Sequence, residues 1–138
     1  MPRILCFDYG TKKTGIATTD PLQIIATAIG TTPTEALKNW LEKYLREEEV
    51  ERFVLGEPLH PDGNPAQIHE QVLTFRDYLT KTYPTIPVTL QDERYSSARA
   101  RDIILRSGAK KKKRRDKTLV DKVSAVLILE DYMQENVW

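Results

Sequence analysis

The chain has 138 residues, 21 Lys+Arg against 20 Asp+Glu, a formal net charge of +1 and a single cysteine. That length suits one domain, residues 1–138, burying roughly two thirds of the surface its unfolded chain would expose. Cys6 alone excludes a disulfide framework and a Cys/His zinc cage, and without a signal-peptide h-region or 18 consecutive apolar residues the expected setting is cytoplasmic, with no membrane partner.

In chain order, Ile4-Leu-Cys-Phe7 is a short apolar run ending at Asp8 and followed by Gly10-Thr-Lys-Lys13, which reads as a strand over 3–8 buried on both faces. The β-branched runs Lys13–Thr19 and Gln23–Thr31, separated by Asp20-Pro21, read as two more strands. Thr34 is placed to cap a helix carrying Leu37, Trp40, Leu41, Tyr44 and Leu45 at helical spacing. Arg52–Gly56 is a fourth strand, and the loop PLHPDGNP leads into a helix near 65–82 with Ile68, Val72, Phe75 and Leu79 on one face. Pro87–Leu90 is a fifth strand. Helices near 96–107 and 118–135 close the chain, the second apolar nearly all round and therefore buried. The pattern predicts an α/β fold: a mixed five-stranded sheet, strand two antiparallel to strand one, with helices on both faces.

Charge is polarised along the chain. Residues 35–57 hold seven acids and four bases, whereas residues 99–117 hold ten bases and two acids. Lys110, Lys111, Lys112, Lys113, Arg114 and Arg115 follow Ser107-Gly108, a helix-ending signal, and read as a basic loop. Such a run either contacts a polyanion or stays solvated.

Three acidic positions are expected to gather at the carboxyl ends of the parallel strands, where sheets of this kind place their reactive groups. Asp8 ends the first strand, Asp92-Glu93-Arg94 follows the fifth, and Asp121 opens the final helix. Burying an unpaired carboxylate costs several kcal/mol, so Asp8 implies a positive partner, a metal ion or a base, unless it caps its own turn. Asp121 as a helix cap and Asp92-Glu93-Arg94 as a surface ion pair are the plainer alternatives.

FDYGTKKTGIA (7–17), GEPLHPDG (56–63), DERYSS (92–97) and DKVSAVLILEDY (121–132), in that order, resemble the motifs of the YqgF-type family of pre-16S rRNA nucleases and Holliday-junction-resolvase-like proteins, within the ribonuclease H-like superfamily. The resemblance covers nearly the whole chain. It implies a ribonuclease H-like sheet and a two-metal-ion nuclease whose catalytic, metal-binding carboxylates fall on Asp8, Glu93 and Asp121, with Mg²⁺ as the cofactor and Mn²⁺ able to substitute. The substrate implied is the 5′ end of precursor 16S rRNA, with ribosomal precursor particles as partners and a monomer or homodimer as the acting unit. Holliday junction resolution in DNA recombination or repair, or nucleic-acid binding without cleavage, are the alternatives.

Thr11, Lys12, Lys13 and Arg94 are candidates for phosphate contact, with Lys110–Arg115 holding the strand electrostatically. The chain departs from the family pattern at Tyr95 and at Glu57; the latter is either a fourth metal ligand or, as expected here, directed to solvent. His60 is expected to be a loop or solvent histidine. DYGTKKTG also resembles the phosphate loop of actin-like ATPases, but those enzymes close two such lobes around a nucleotide, and 138 residues hold one.

Overall fold

The computed structural model of the protein describes residues 2–59, 62, 66–93, 99–100, 102–103, 105 and 117–136, with the side chains of 117–122 and 136 outside the description. Five strands form one sheet: β1 (Arg3–Asp8), β2 (Lys13–Thr19), β3 (Ala26–Pro33), β4 (Val50–Glu57) and β5 (Val88–Asp92). Their order is β3-β2-β1-β4-β5, with β2 antiparallel to β1 and to β3, and β4 parallel to both β1 and β5. Helix α1 (Leu37–Glu47) follows a single 3₁₀ turn at Thr34–Ala36, α2 (His69–Thr82) precedes β5, and α3 (Lys117–Asn136) ends the described chain. This is the expected mixed sheet with helices on both faces.

Period-two alternation divides the core. Leu5 and Phe7 of β1 join Phe53 and Leu55 of β4 beneath α1 and α2, where Leu37, Leu41, Val72, Phe75 and Leu79 are buried. Ile4, Cys6 and Val54 point to the opposite face and pack under Ala125, Ile128, Leu129, Tyr132 and Met133 of α3. Strands covered on both sides explain why β1 and β4 read as continuous apolar runs rather than alternating ones.

Four local expectations are corrected. β3 begins at Ala26 rather than Gln23, because the Asp20 carboxylate accepts hydrogen bonds from the amides of Leu22, Ile24 and Ile25 at 3.1, 2.7 and 2.7 Å and folds 20–25 into a turn, with Gln23 at φ 59°. Thr34 does not cap α1: its hydroxyl donates to the Gly10 carbonyl at 2.6 Å and lies 2.9 Å from the Thr14 hydroxyl, tying the β1–β2 turn to the start of the helical region. α2 starts at His69, later than the expected 65. β5 runs to Asp92, so Glu93 is the first residue beyond it. Of the helix expected at 96–107 only residues 99, 100, 102, 103 and 105 are described, and these are helical.

Candidate active site

Asp8 closes β1 on the same face as Ile4 and Cys6, the face that α3 covers. Gly56, near the end of the neighbouring β4, lies on that face too, two residues beyond Val54. Across β4, Gln91 of β5 is buried and donates to Glu135 of α3 at 3.1 Å, so Glu93, two residues further, is directed to the α3 side. Asp8 at the end of β1, Gly56 near the end of β4 and Glu93 just past β5 thus lie side by side on the α3 face.

The glycine has a specific reason. β1 and β5 are not neighbours, and at about 4.8 Å per strand their ends stand roughly 10 Å apart. Glu93 spans that gap by lying over Gly56: a Cβ there would stand 2.7 Å from Glu93 Oε2 and 2.8 Å from Ile128 Cδ1. The side chain reaches Asp8 and hydrogen-bonds to it. Burial, the negative charge of Asp8, that hydrogen bond and the charge of Asp92 push the Glu93 carboxyl up to about 10. Two carboxylates cannot both stay ionised in so shielded a place, so the pair holds a proton between them. Burial, then the charges of Asp8 and Glu93, also push the Cys6 thiol well above its ordinary value, leaving it an inert core residue.

A shared proton and a divalent cation relieve the same repulsion, and an all-carboxylate donor set is what hard cations such as Mg²⁺ and Mn²⁺ select, so the residues present fit such an ion. Among the described residues no three His, Cys, Asp or Glu side chains form a metal-holding group. Asp121 lies in the second turn of α3, slightly deeper than expected, and seven residues before Ile128, which touches the Gly56 position. Residues seven apart share a helix face; the Asp121 side chain itself lies outside the described residues.

Thr11 and Lys12 in the β1–β2 turn and Lys13, the first residue of β2, are exposed and within a few residues of Asp8. Arg94, Lys110–Arg115 and His60 lie outside the described residues. Glu57 corrects its expectation: rather than meeting solvent, its carboxylate accepts from or pairs with His69 Nε2 at 3.1 Å, the two side chains only 30% and 17% exposed. It sits on the α2 side of the sheet, the opposite side from Glu93, and the Glu57 carbonyl accepts the Glu93 amide at 3.2 Å, fixing where β5 ends. The sequence held no signal for the His69 pairing, because it depends on where α2 starts.

A five-stranded mixed sheet ordered β3-β2-β1-β4-β5, with its second strand antiparallel and helices on both faces, defines the class: a ribonuclease H-like fold. The model of the family described as "RuvX: Holliday junction resolvase" matches residues 2–135. The chain therefore belongs to the RuvX family, a family of nucleases. A Porphyromonas gingivalis protein named "Putative pre-16S rRNA nuclease" is 47% identical over 133 residues, 96% of each chain. A Christiangramia forsetii protein of the same name is 44% identical over 135 residues, 98% of this chain and 100% of its own. The fowlpox virus Holliday junction resolvase superposes with a TM-score of 0.58 at 15% identity, covering 96% of this chain and 98% of that one, and its complex with junction DNA gives 0.55 at 13%, covering 99% of each chain. At that identity the likeness is one of fold. Among the described residues no helix is long and apolar enough to cross a membrane.

Proposed function

We propose that the protein is a divalent-cation-dependent endonuclease that processes the 5′ side of precursor 16S rRNA, working in the cytoplasm on ribosomal precursor particles. The observation that carries this reading is the pairing of Glu93 with Asp8 above Gly56. Asp8, Glu93 and Asp121 are the residues proposed to hold the cation, Mg²⁺ with Mn²⁺ able to replace it. When bound, such ions activate a water and neutralise charge on the scissile phosphate and the leaving oxygen.

The chain's own residues do the rest. Asp8 and Glu93 already stand together, and on binding a cation they would give up their shared proton and become its carboxylate ligands. Gly56 keeps the Glu93 carboxyl at a fixed height over β4. Thr11, Lys12 and Lys13 offer a hydroxyl and two cations to the phosphate backbone beside Asp8, Arg94 a planar guanidinium, and Lys110–Arg115 a diffuse positive field.

A second reading, resolution of four-way DNA junctions, is favoured by the family description and by the fold shared with a junction resolvase. The two differ in assembly, since end processing needs one active site and paired cuts across a junction call for a homodimer. Purified protein is to be offered a labelled precursor-rRNA 5′ fragment, a model four-way junction and linear duplex DNA, each with Mg²⁺, Mn²⁺ or EDTA. Cleavage of the RNA in either metal and none in EDTA is the expected result; equal or faster turnover of the junction would move the assignment to resolution.

A further inference from the structure

On the α2 side of the sheet, beginning at the β1–β2 turn, three cavities share walls. The largest, about 460 Å³, is lined among the described residues by Gly10, Thr11, Lys12, Lys13 and Ile68. Thr11 and Ile68 also line the next, of about 300 Å³, together with Gln67 and Gln71. Gln71 leads in turn into a third of about 180 Å³, walled by Tyr9, Lys38, Thr74, Phe75 and Tyr78. The three form a track from the β1–β2 turn, along the first turn of α2, to the seam between α1 and α2.

The chemistry changes along it in an ordered way. Lys12 and Lys13 stand exposed at one end and Lys38 at the other, and no described lining residue is acidic. That absence of acids is selective, because Lys38 comes from the acid-rich stretch of the chain. The middle is set with amides. At the far end the Phe75 ring lies 5.2 Å from Tyr9 and 6.1 Å from Tyr78, nearly parallel to the latter at 15°, so two partly buried tyrosines flank a buried phenylalanine. Lys38 Nζ rests 4.2 Å from the Tyr78 ring centroid. An exposed cation–π contact of this kind is weak and a base stacks on an aromatic more strongly, so a nucleotide can displace the lysine, whose charge is then free for a phosphate. Cations spaced along a groove, with aromatic faces between them, are what a single strand requires; a duplex keeps its bases stacked on each other and has no use for the tyrosines.

We propose that this track binds the unpaired strand adjoining the scissile phosphate, bases against Tyr9 and Tyr78 and phosphates on Lys12, Lys13 and Lys38, making the enzyme selective for a single-stranded flank beside its cut. The placement relative to cleavage rests on the reading of Asp8 and Glu93 as the active site; the binding does not.

The test is fluorescence anisotropy in EDTA, where no cleavage is expected, with short single-stranded RNA and DNA oligonucleotides of one sequence and the matching duplex. The variant is Lys38→Glu combined with Gln71→Glu, two exposed positions remote from Glu93. Affinity for both single strands is expected to fall more than about tenfold while the duplex changes less than about twofold, at unchanged melting temperature. Ultraviolet crosslinking of the wild-type protein to the RNA strand should yield adducts on peptides containing Tyr9 or Tyr78. An equal loss for strand and duplex, no loss at all, or a wild type that prefers the duplex would overturn the inference. A protein that binds single strands through this track yet cleaves nothing would sink only the nuclease reading, and one that cleaves precursor RNA but ignores the double substitution would sink only the track.

Discussion

Glu93 reaches Asp8 across an intervening strand, and it does so because Gly56 on that strand has no side chain. The contact joins residues 85 positions apart at the ends of β1 and β5. Each carboxyl raises the cost of ionising the other, so the pair holds one proton, which a bound cation would displace.

The pair has a measurable signature in pH. The Glu93 carboxyl moves from an ordinary 4.5 to about 10 on folding, so between those values the folded chain binds more protons than the unfolded one. The stability this contributes is fully present below pH 4.5 and is lost as pH rises toward 10, at up to about 1.4 kcal/mol per pH unit. In EDTA, Glu93→Gln, which cannot ionise, should therefore melt above the wild type at pH 8, with the difference closing toward pH 5. Mg²⁺ should raise the wild-type melting temperature and leave that of Glu93→Gln nearly unchanged. A difference independent of pH would show that Glu93 is not held protonated.

Gly56→Ala tests the geometry without altering charge. Its new methyl would press on Glu93 Oε2 and Ile128 Cδ1, and overpacking of that kind costs about 1–3 kcal/mol. The expected outcome is a folded, less stable protein with a greatly reduced cleavage rate and little change in nucleic-acid affinity. Wild-type turnover would mean that Glu93 need not lie over β4.

The basic loop makes a prediction from sequence alone. Replacing Lys111, Lys112, Arg114 and Arg115 with Ala should weaken binding about equally for all sequences and lower the slope of log K against log[salt] by roughly 0.7–0.9 per lost phosphate contact. The melting temperature should barely move, as should turnover of bound substrate. An unchanged slope would leave the loop merely solvated and shift the contacts to Lys12, Lys13 and Arg94.

The strands and the two acids at their ends were legible because each is a local event: an apolar run, then a carboxylate where buried strands stop. What escaped is long-range. Pro33-Thr34 has the form of a helix start, yet the Thr34 hydroxyl is taken by the carbonyl of Gly10, 24 residues away. Ile24 and Ile25 suit a strand, yet the Asp20 carboxylate holds their amides in a turn. A glycine within a strand announces a close approach but not what approaches, so the fit of Glu93 over Gly56 was invisible. Tyr9 and Tyr78 look like core aromatics at unrelated positions until α2 packs on β1 and sets both rings against Phe75.

Cleavage of the precursor-rRNA fragment by Asp8→Asn, measured beside its binding affinity and melting temperature, asks whether the paired carboxylates take part in the chemistry. The substitution keeps the shape of the side chain and removes the charge that Glu93 faces and the cation needs. No detectable cleavage is expected in Mg²⁺ or Mn²⁺, with nucleic-acid affinity and folding close to wild type. Turnover at the wild-type rate would contradict this, since the paired carboxylates would then have no part in the chemistry.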